Sequence, residues 1–262
     1  MASNISPTEI IDVFDPSVKW KSSAEPKLKW LFNTEFNSHS NNPGGRELEE
    51  CRRIYGGLVQ NKLIICSGHY YYILGTPMIK KVLIEPRNFA SSVVLNDNVL
   101  WIVGGKVGKN NTNTSEFVKL NENPVKGPDL PFHISHHSMI QYDKKSIYII
   151  GGLYDDDKYG SGQTWITDPT NGFQIIKGPN LKEPRHSFAC GKMLMNGKTV
   201  LIVAGGITKL GNVFDSVEIL DPSSDKGWKI GMKLIIISIE IIQWCMESNS
   251  YYYYYCRSKI TI

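Results

Sequence analysis

The chain spells one phrase several times. Val99-Leu100-Trp101-Ile102-Val103-Gly104-Gly105 runs five large apolar residues into two glycines. SIYIIGG, ending at Gly152, and VLIVAGG, ending at Gly206, repeat it, and NKLIICSG, ending at Gly68, is a weaker copy. The final glycines thus recur at the interval expected of a repeated supersecondary unit, roughly 40 to 50 residues. A unit that small cannot bury both faces of its strands alone, so the copies must stack on one another.

Each copy follows one grammar: an apolar segment, a short polar turn, a second apolar segment, the glycines, then a variable polar loop. SSVVL and VLWIV flank Asn96-Asp97-Asn98; HSMIQY and SIYII flank Asp143-Lys144-Lys145; Cys190 to Met195 and TVLIV flank Asn196-Gly197-Lys198. Asn-Gly and Asp-rich turns tolerate the positive φ of tight hairpins. The second strands are apolar without alternation, which predicts burial on both faces. The repeat glycines Gly68, Gly104, Gly105, Gly151, Gly152, Gly205 and Gly206 are expected to end these strands where a side chain would obstruct the backbone bend or the neighbouring sheet.

A second phrase recurs further along. Phe14-Asp15-Pro16 precedes Trp20, Thr167-Asp168-Pro169 precedes Phe173, and Leu220-Asp221-Pro222 precedes Trp228. Asp then Pro presets a type I turn, and so a second hairpin; the aromatic that follows predicts filling between adjacent sheets. The near-copies KGPDL (126–130) and KGPNL (177–181) carry the chain to the next unit. The combination of apolar run, Gly-Gly, Asp-Pro and aromatic resembles the kelch repeat from Cys51 to Gly231. The rival WD repeat lacks its Trp-Asp dipeptide here. The resemblance implies an all-β, kelch-type β-propeller of four-stranded blades: four blades plus a partial N-terminal blade, an incomplete ring.

The expected layout is the outer half of a blade over residues 1–20, a polar linker over 21–50, four repeats over about 51–84, 85–132, 133–185 and 186–231, and a tail without kelch grammar over 232–262. The tail holds the apolar run Leu234 to Ile242 and five consecutive tyrosines, Tyr251 to Tyr255, unlike anything upstream. It reads as a foreign ending on an incomplete chain.

Composition narrows the function classes. Lys and Arg total 29 against 25 acids, for a net charge of +4, and form no basic stripe, so nucleic acid is not an expected partner. The run Leu234 to Ile242 is interrupted by Glu240 and is much shorter than the ~20 residues of a membrane helix, so no membrane partner is expected. Five cysteines without a C-x-x-C pair fit neither a zinc ribbon nor a dense disulfide framework. Cys66 and Cys190, inside apolar strands, read as small buried hydrophobes. MASNISPTEI carries no leader pattern, whereas Asn4, Asn110 and Asn113 begin glycosylation triplets, so the compartment stays open between the cytoplasm and the cell exterior.

Catalytic signals are weak. His133, His136 and His137 cluster, but 133 and 137 share a strand face that 136 does not, so at most two could ligate a metal together. Asp155-Asp156-Asp157 lacks the calcium-loop spacing and a distal Glu. Gly160-Ser161-Gly162 is not a nucleophile elbow, and no phosphate-binding glycine loop is present. The reading is a non-enzymatic module with no cofactor and no metal. The kelch resemblance also implies an alternative, a copper enzyme of the galactose-oxidase type, whose ligands find no matching positions here.

The leading expectation is a scaffold that binds another protein through its loops. The loops Lys106 to Thr114, Tyr154 to Gly162 and Ile207 to Gly211 differ in length and charge while the strands between them do not. Lys106, Lys109, Tyr154, Asp155, Asp157, Tyr159 and Lys209 are the expected contact residues, as charged and aromatic loop tips.

Overall fold

A computed structural model describes residues 9–10, 21–22, 55–75, 77–155, 160–207, 212–233 and 245–246. The described residues are all-β, without a helix. The chain divides into a unit of residues 1–52 with 248–262 and a unit of residues 53–247. In the first, Glu9–Ile10 pairs antiparallel with Lys21–Ser22; the expected half-blade and linker otherwise lie outside the described residues.

The second unit is a row of small sheets built in chain order. The first has three strands, Tyr55–Val59, Lys62–Ile73 and Ile79–Arg87. The second is a four-stranded antiparallel meander of Ser91–Leu95, Val99–Val103, Ser115–Lys119 and Val125–Lys126. The third repeats it with Ser138–Gln141, Ile147–Ile150, Thr164–Asp168 and Gln174–Lys177. The fourth is the meander Ala189–Met195, Lys198–Ala204, Ser216–Leu220 and Lys229–Lys233, with Cys245–Met246 added in parallel along the first strand. The first strands of successive sheets lie against one another.

Local chemistry explains the meanders. Gln60-Asn61, Asn96-Asp97 and Asn196-Gly197 turn the first hairpins with positive φ at both central residues, the twist that suits right-handed strands. The Asp-Pro turns form as their chemistry dictates: Asp168 accepts from the Thr170 amide and hydroxyl at 2.8 and 2.7 Å, and Asp221 from those of Ser223 at 2.9 and 2.5 Å. The aromatics beyond them reach between sheets. Phe173 lies 4.6 Å from Trp101 of the preceding sheet, and fully buried Trp228 packs with Ile140 and Tyr148. In the second strands of the second and third sheets, every residue from Leu100 to Val103 and from Ile147 to Ile150 is buried, which is why they carry no alternation.

The glycine doublets join sheet to sheet. Gly104, Gly105, Gly151, Gly152, Gly205 and Gly206 all have positive φ. A Cβ on the first glycine would strike the segment leading into the next sheet: 2.6 Å from the Ile134 carbonyl at Gly104, 2.7 Å from that of Arg185 at Gly151. A Cβ on the second would strike the segment leading into its own sheet, 2.8 Å from Asn88, Ser135 and His186 carbonyls at Gly105, Gly152 and Gly206. Backbone bonds seal the join, Gly105 donating to Ile134 at 2.8 Å and Gly152 to Arg185 at 3.1 Å.

Four expectations need correction. The first sheet has three strands, because its second strand, Lys62–Ile73, runs on past the glycine and pairs as a long hairpin. Gly68 therefore does not end a strand; it sits at φ +57° beside a register shift within that hairpin. Gly231 is not the end of the repeat either, since Lys229–Lys233 pairs through it. Cys190 is buried as expected but disulfide-bonded, so it is not a free space-filling thiol. Cys66 is free and buried, and burial pushes its thiol well above the ordinary value. The tail's apolar run and tyrosines lie outside the described residues.

Candidate functional site

Three lead-in segments, Glu85 to Ala90, Phe132 to His137 and Glu183 to Phe188, come together with the loops after the glycine doublets at one end of the sheets. In a meander the end of the second strand, the start of the third and the arrival of the next lead-in all fall at that end. The pairings make this concrete. Asn88, Ser135 and His186 pair with Lys106, Leu153 and Ile207, the first residues after each doublet. Thr112 and Ser161, further along the loops, pair with Ile134 and Arg185 of the next lead-in. Each of these two lead-ins is gripped by two loops, one from its own sheet and one from the sheet before.

The next residue in each lead-in, Phe89, His136 and Ser187, carries a positive φ without being glycine, a costly conformation held by its surroundings. A chain of backbone bonds links the three: His136 donates to the Phe89 carbonyl at 2.9 Å, and Ser187 to that of His136 at 3.0 Å. The Phe89 and His136 rings stack at 4.0 Å, and His186 meets His136 edge-on at 5.7 Å. Ser135 donates to Asn111 Oδ1 at 2.7 Å while sharing a 2.9 Å contact with His136 Nδ1. With the serine proton committed to Asn111, Nδ1 is the donor and Nε2 the acceptor of a neutral ring. Burial, then His186, Lys106 and His137, push His136 down to about 3. Burial alone does the same to His137, whose ring nitrogens have no hydrogen-bond partner among the described residues. Such rings accept hydrogen bonds but are far from the poise of a general base near neutrality.

Two lead-ins carry a buried ionic lock. The Arg87 guanidinium reaches Glu116 at 2.9 Å, the Gly104 and Thr114 carbonyls at 2.9 Å each, and Glu85 at 3.2 Å. Glu116 also accepts from the Ile84 and Glu85 amides. Arg185 repeats this with Glu218 at 3.0 Å, the Gly205 carbonyl at 2.7 Å and Glu183 at 2.7 Å, and Glu218 accepts from the Lys182 and Glu183 amides. Both arginines and both central glutamates are buried, so every charge has a partner, as a low-dielectric site demands. The middle lead-in is different. Phe132 stands where the others have Glu85 and Glu183, Ile134 where they have Arg87 and Arg185, and Trp165 where they have Glu116 and Glu218. Phe132 and Trp165 stack at 4.9 Å, Tyr154 joins at 5.3 Å, and the Trp165 indole donates to Tyr154 Oη at 2.9 Å.

The expected contact residues divide accordingly. Lys106 is half-buried and its backbone is tied to Asn88; Lys109 is exposed in the turn between Lys106–Val107 and Asn110–Asn111, where Gly108 has φ +62°. Tyr154 is a member of the aromatic corner, not a free loop tip. Asp155 is exposed and pairs with His133 at 2.7 Å. Asp157, Tyr159 and Lys209 lie outside the described residues. The three clustered histidines part company: His133 faces Asp155, His136 the stacked rings, and His137 the interior. No group of three or more His, Cys, Asp or Glu among the described residues could hold a metal ion. Reading single motifs misses Phe89, His186, Phe132 and Trp165; aligning the lead-ins EPRNFA, FHISHH and EPRHSF brings the first three out.

No family model matches the sequence, and no curated protein matches it. The fold is similar to the solved structure of YjhT, with a TM-score of 0.60 at 15% sequence identity, covering 70% of this chain. The chain spans about 65% of the length of that structure, and the likeness is one of fold alone.

Proposed function

We propose that this chain is a kelch-type β-propeller module that binds another protein through the end of the sheets where the loops and lead-ins gather, without catalysing a reaction. One observation carries the reading: loops that differ in length and charge are anchored on lead-ins that are themselves locked by buried bonds. Rigid support with variable tips is the arrangement by which scaffolds present recognition surfaces. The propeller part of the proposal draws on three successive four-stranded meanders, on first strands that lie side by side, and on doublets that recur at equivalent joints.

A photo-crosslinking residue tests the proposal. Placed at exposed Lys109, on the loop end, it should yield a covalent protein adduct in cells. Placed at exposed Lys145, in the hairpin turn at the other end of the third sheet, it should yield none. Equal labelling from both positions, or none from Lys109, would overturn the proposal.

A further inference from the structure

We propose that the corner of Phe132, Tyr154 and Trp165 is the anchor point of that loop-end surface, and that it takes a peptide segment carrying a proline or aliphatic side chain beside a lysine or arginine. The proposal rests on the protein-binding reading and gives it a place and a chemistry. At the two equivalent lead-ins the position is closed by ionic locks whose central arginine and glutamate are fully buried. Here, half-buried aromatic rings take their place.

The rings are held ready. Phe132 stacks on Trp165, and the Trp165 indole has already found Tyr154 Oη, so the indole N–H is satisfied and the stacked rings offer apolar surface. Aromatic side chains fixed in this way give contact area at small entropic cost. Charge sets the neighbour. Asp155 directly follows Tyr154, is half-exposed, and among the described residues its carboxylate meets only the half-exposed His133 ring, at 2.7 Å. A cationic residue adjoining the apolar one would meet the Asp155 carboxylate, while an acidic peptide would be repelled.

The test pans the full chain against a displayed random dodecapeptide library. The selected peptides should be enriched in proline or aliphatic residues next to lysine or arginine. Affinity for them should fall about tenfold in Asp155→Asn and further in the charge reversal Asp155→Lys, and should weaken with added salt. It should fall about a hundredfold in Trp165→Ala, as for a central aromatic anchor, in protein with an unchanged circular dichroism spectrum. Should that variant fail to fold, the surface change Asp155→Lys decides the matter alone. Selected peptides that bind Asp155→Lys as tightly as the parent would overturn the corner. So would enrichment of acidic peptides, or a dimer of the chain in sedimentation that Asp155→Lys dissolves. Lys109 crosslinks persisting beside any of these results would leave the loop-end reading standing and remove only the anchor.

Discussion

The lead-ins at Arg87 and at Ile134 solve the same problem with opposite chemistry. Both must pin an extended segment against the second and third strands of the sheet it enters. At Arg87 a guanidinium and a glutamate satisfy two carbonyls and two amides while burying two charges. At Ile134 the charges are gone and Phe132, Trp165 and Tyr154 fill the place. The exchange shows that position and backbone pairing define the joint, since Thr112 still pairs with Ile134 as Ser161 pairs with Arg185. The side chains are free to be a lock or a surface.

The sharpest way to break this comparison is to remove one half of a lock. Arg185→Leu leaves Glu218 buried without its cation and should lower stability by about 3–5 kcal/mol in urea denaturation. The triple change Glu85→Phe, Arg87→Ile and Glu116→Trp copies the middle joint into the first lock, and should cost less than Arg87→Leu alone. A larger cost would mean that the two chemistries are not interchangeable.

Acid separates the joints by another route. His137 occupies the place of Ala90 and Phe188 in the other lead-ins, and its ring is held down to about 3 from an ordinary 6.5. Between those values the unfolded chain binds the extra proton. Stability is therefore complete above about pH 6.5 and falls as pH drops toward 3, by ~1.4 kcal/mol per unit for this group. His136 acts in the same direction. His137→Phe should flatten the profile measured by thermal unfolding at stepped pH; an unaltered slope would assign the acid sensitivity elsewhere.

Smaller changes sharpen the picture. Gly152→Val forces a side chain into a left-handed residue packed against the Ser135 carbonyl and should cost about 1–3 kcal/mol. Gly172→Ala, at φ +61° with nothing within 4 Å, isolates the backbone share at about 1 kcal/mol, so calorimetry on the pair divides conformation from crowding. Tyr154→Phe removes the acceptor of the Trp165 indole and should cost about 0.5–1.5 kcal/mol; a neutral result would show that stacking alone holds the corner.

The strand and turn plan is legible because it rests on local rules. Asn-Gly, Asp-Pro and Gly-Gly each dictate a dihedral that the surrounding fold does not change. The first sheet escapes those rules because Gly68 imitates a doublet while the chain beyond it, His69 to Ile73, continues as strand. The locks are hidden for a different reason. Glu116 and Glu218 lie a full hairpin beyond the arginines they neutralise, and an isolated charge in a strand reads as solvent-facing until its partner is placed. Tyr154 and Asp155 read as loop tips; Tyr154 is engaged by Trp165 from the strand that follows the loop, and Asp155 by His133 from a lead-in that arrives from earlier in the chain.

The sharing of the second and third lead-ins between two loops bears on how the protein emerges during synthesis. Gly105 waits for the carbonyl of Ile134, and Gly152 for that of Arg185, each supplied only by the opening of the following repeat. A sheet whose own strands have all left the ribosome therefore stays unlatched until its successor begins to appear, and each latch closes on a short delay. Growth of this kind proceeds by local steps, with little chain to search at any moment and one provisional edge to shield.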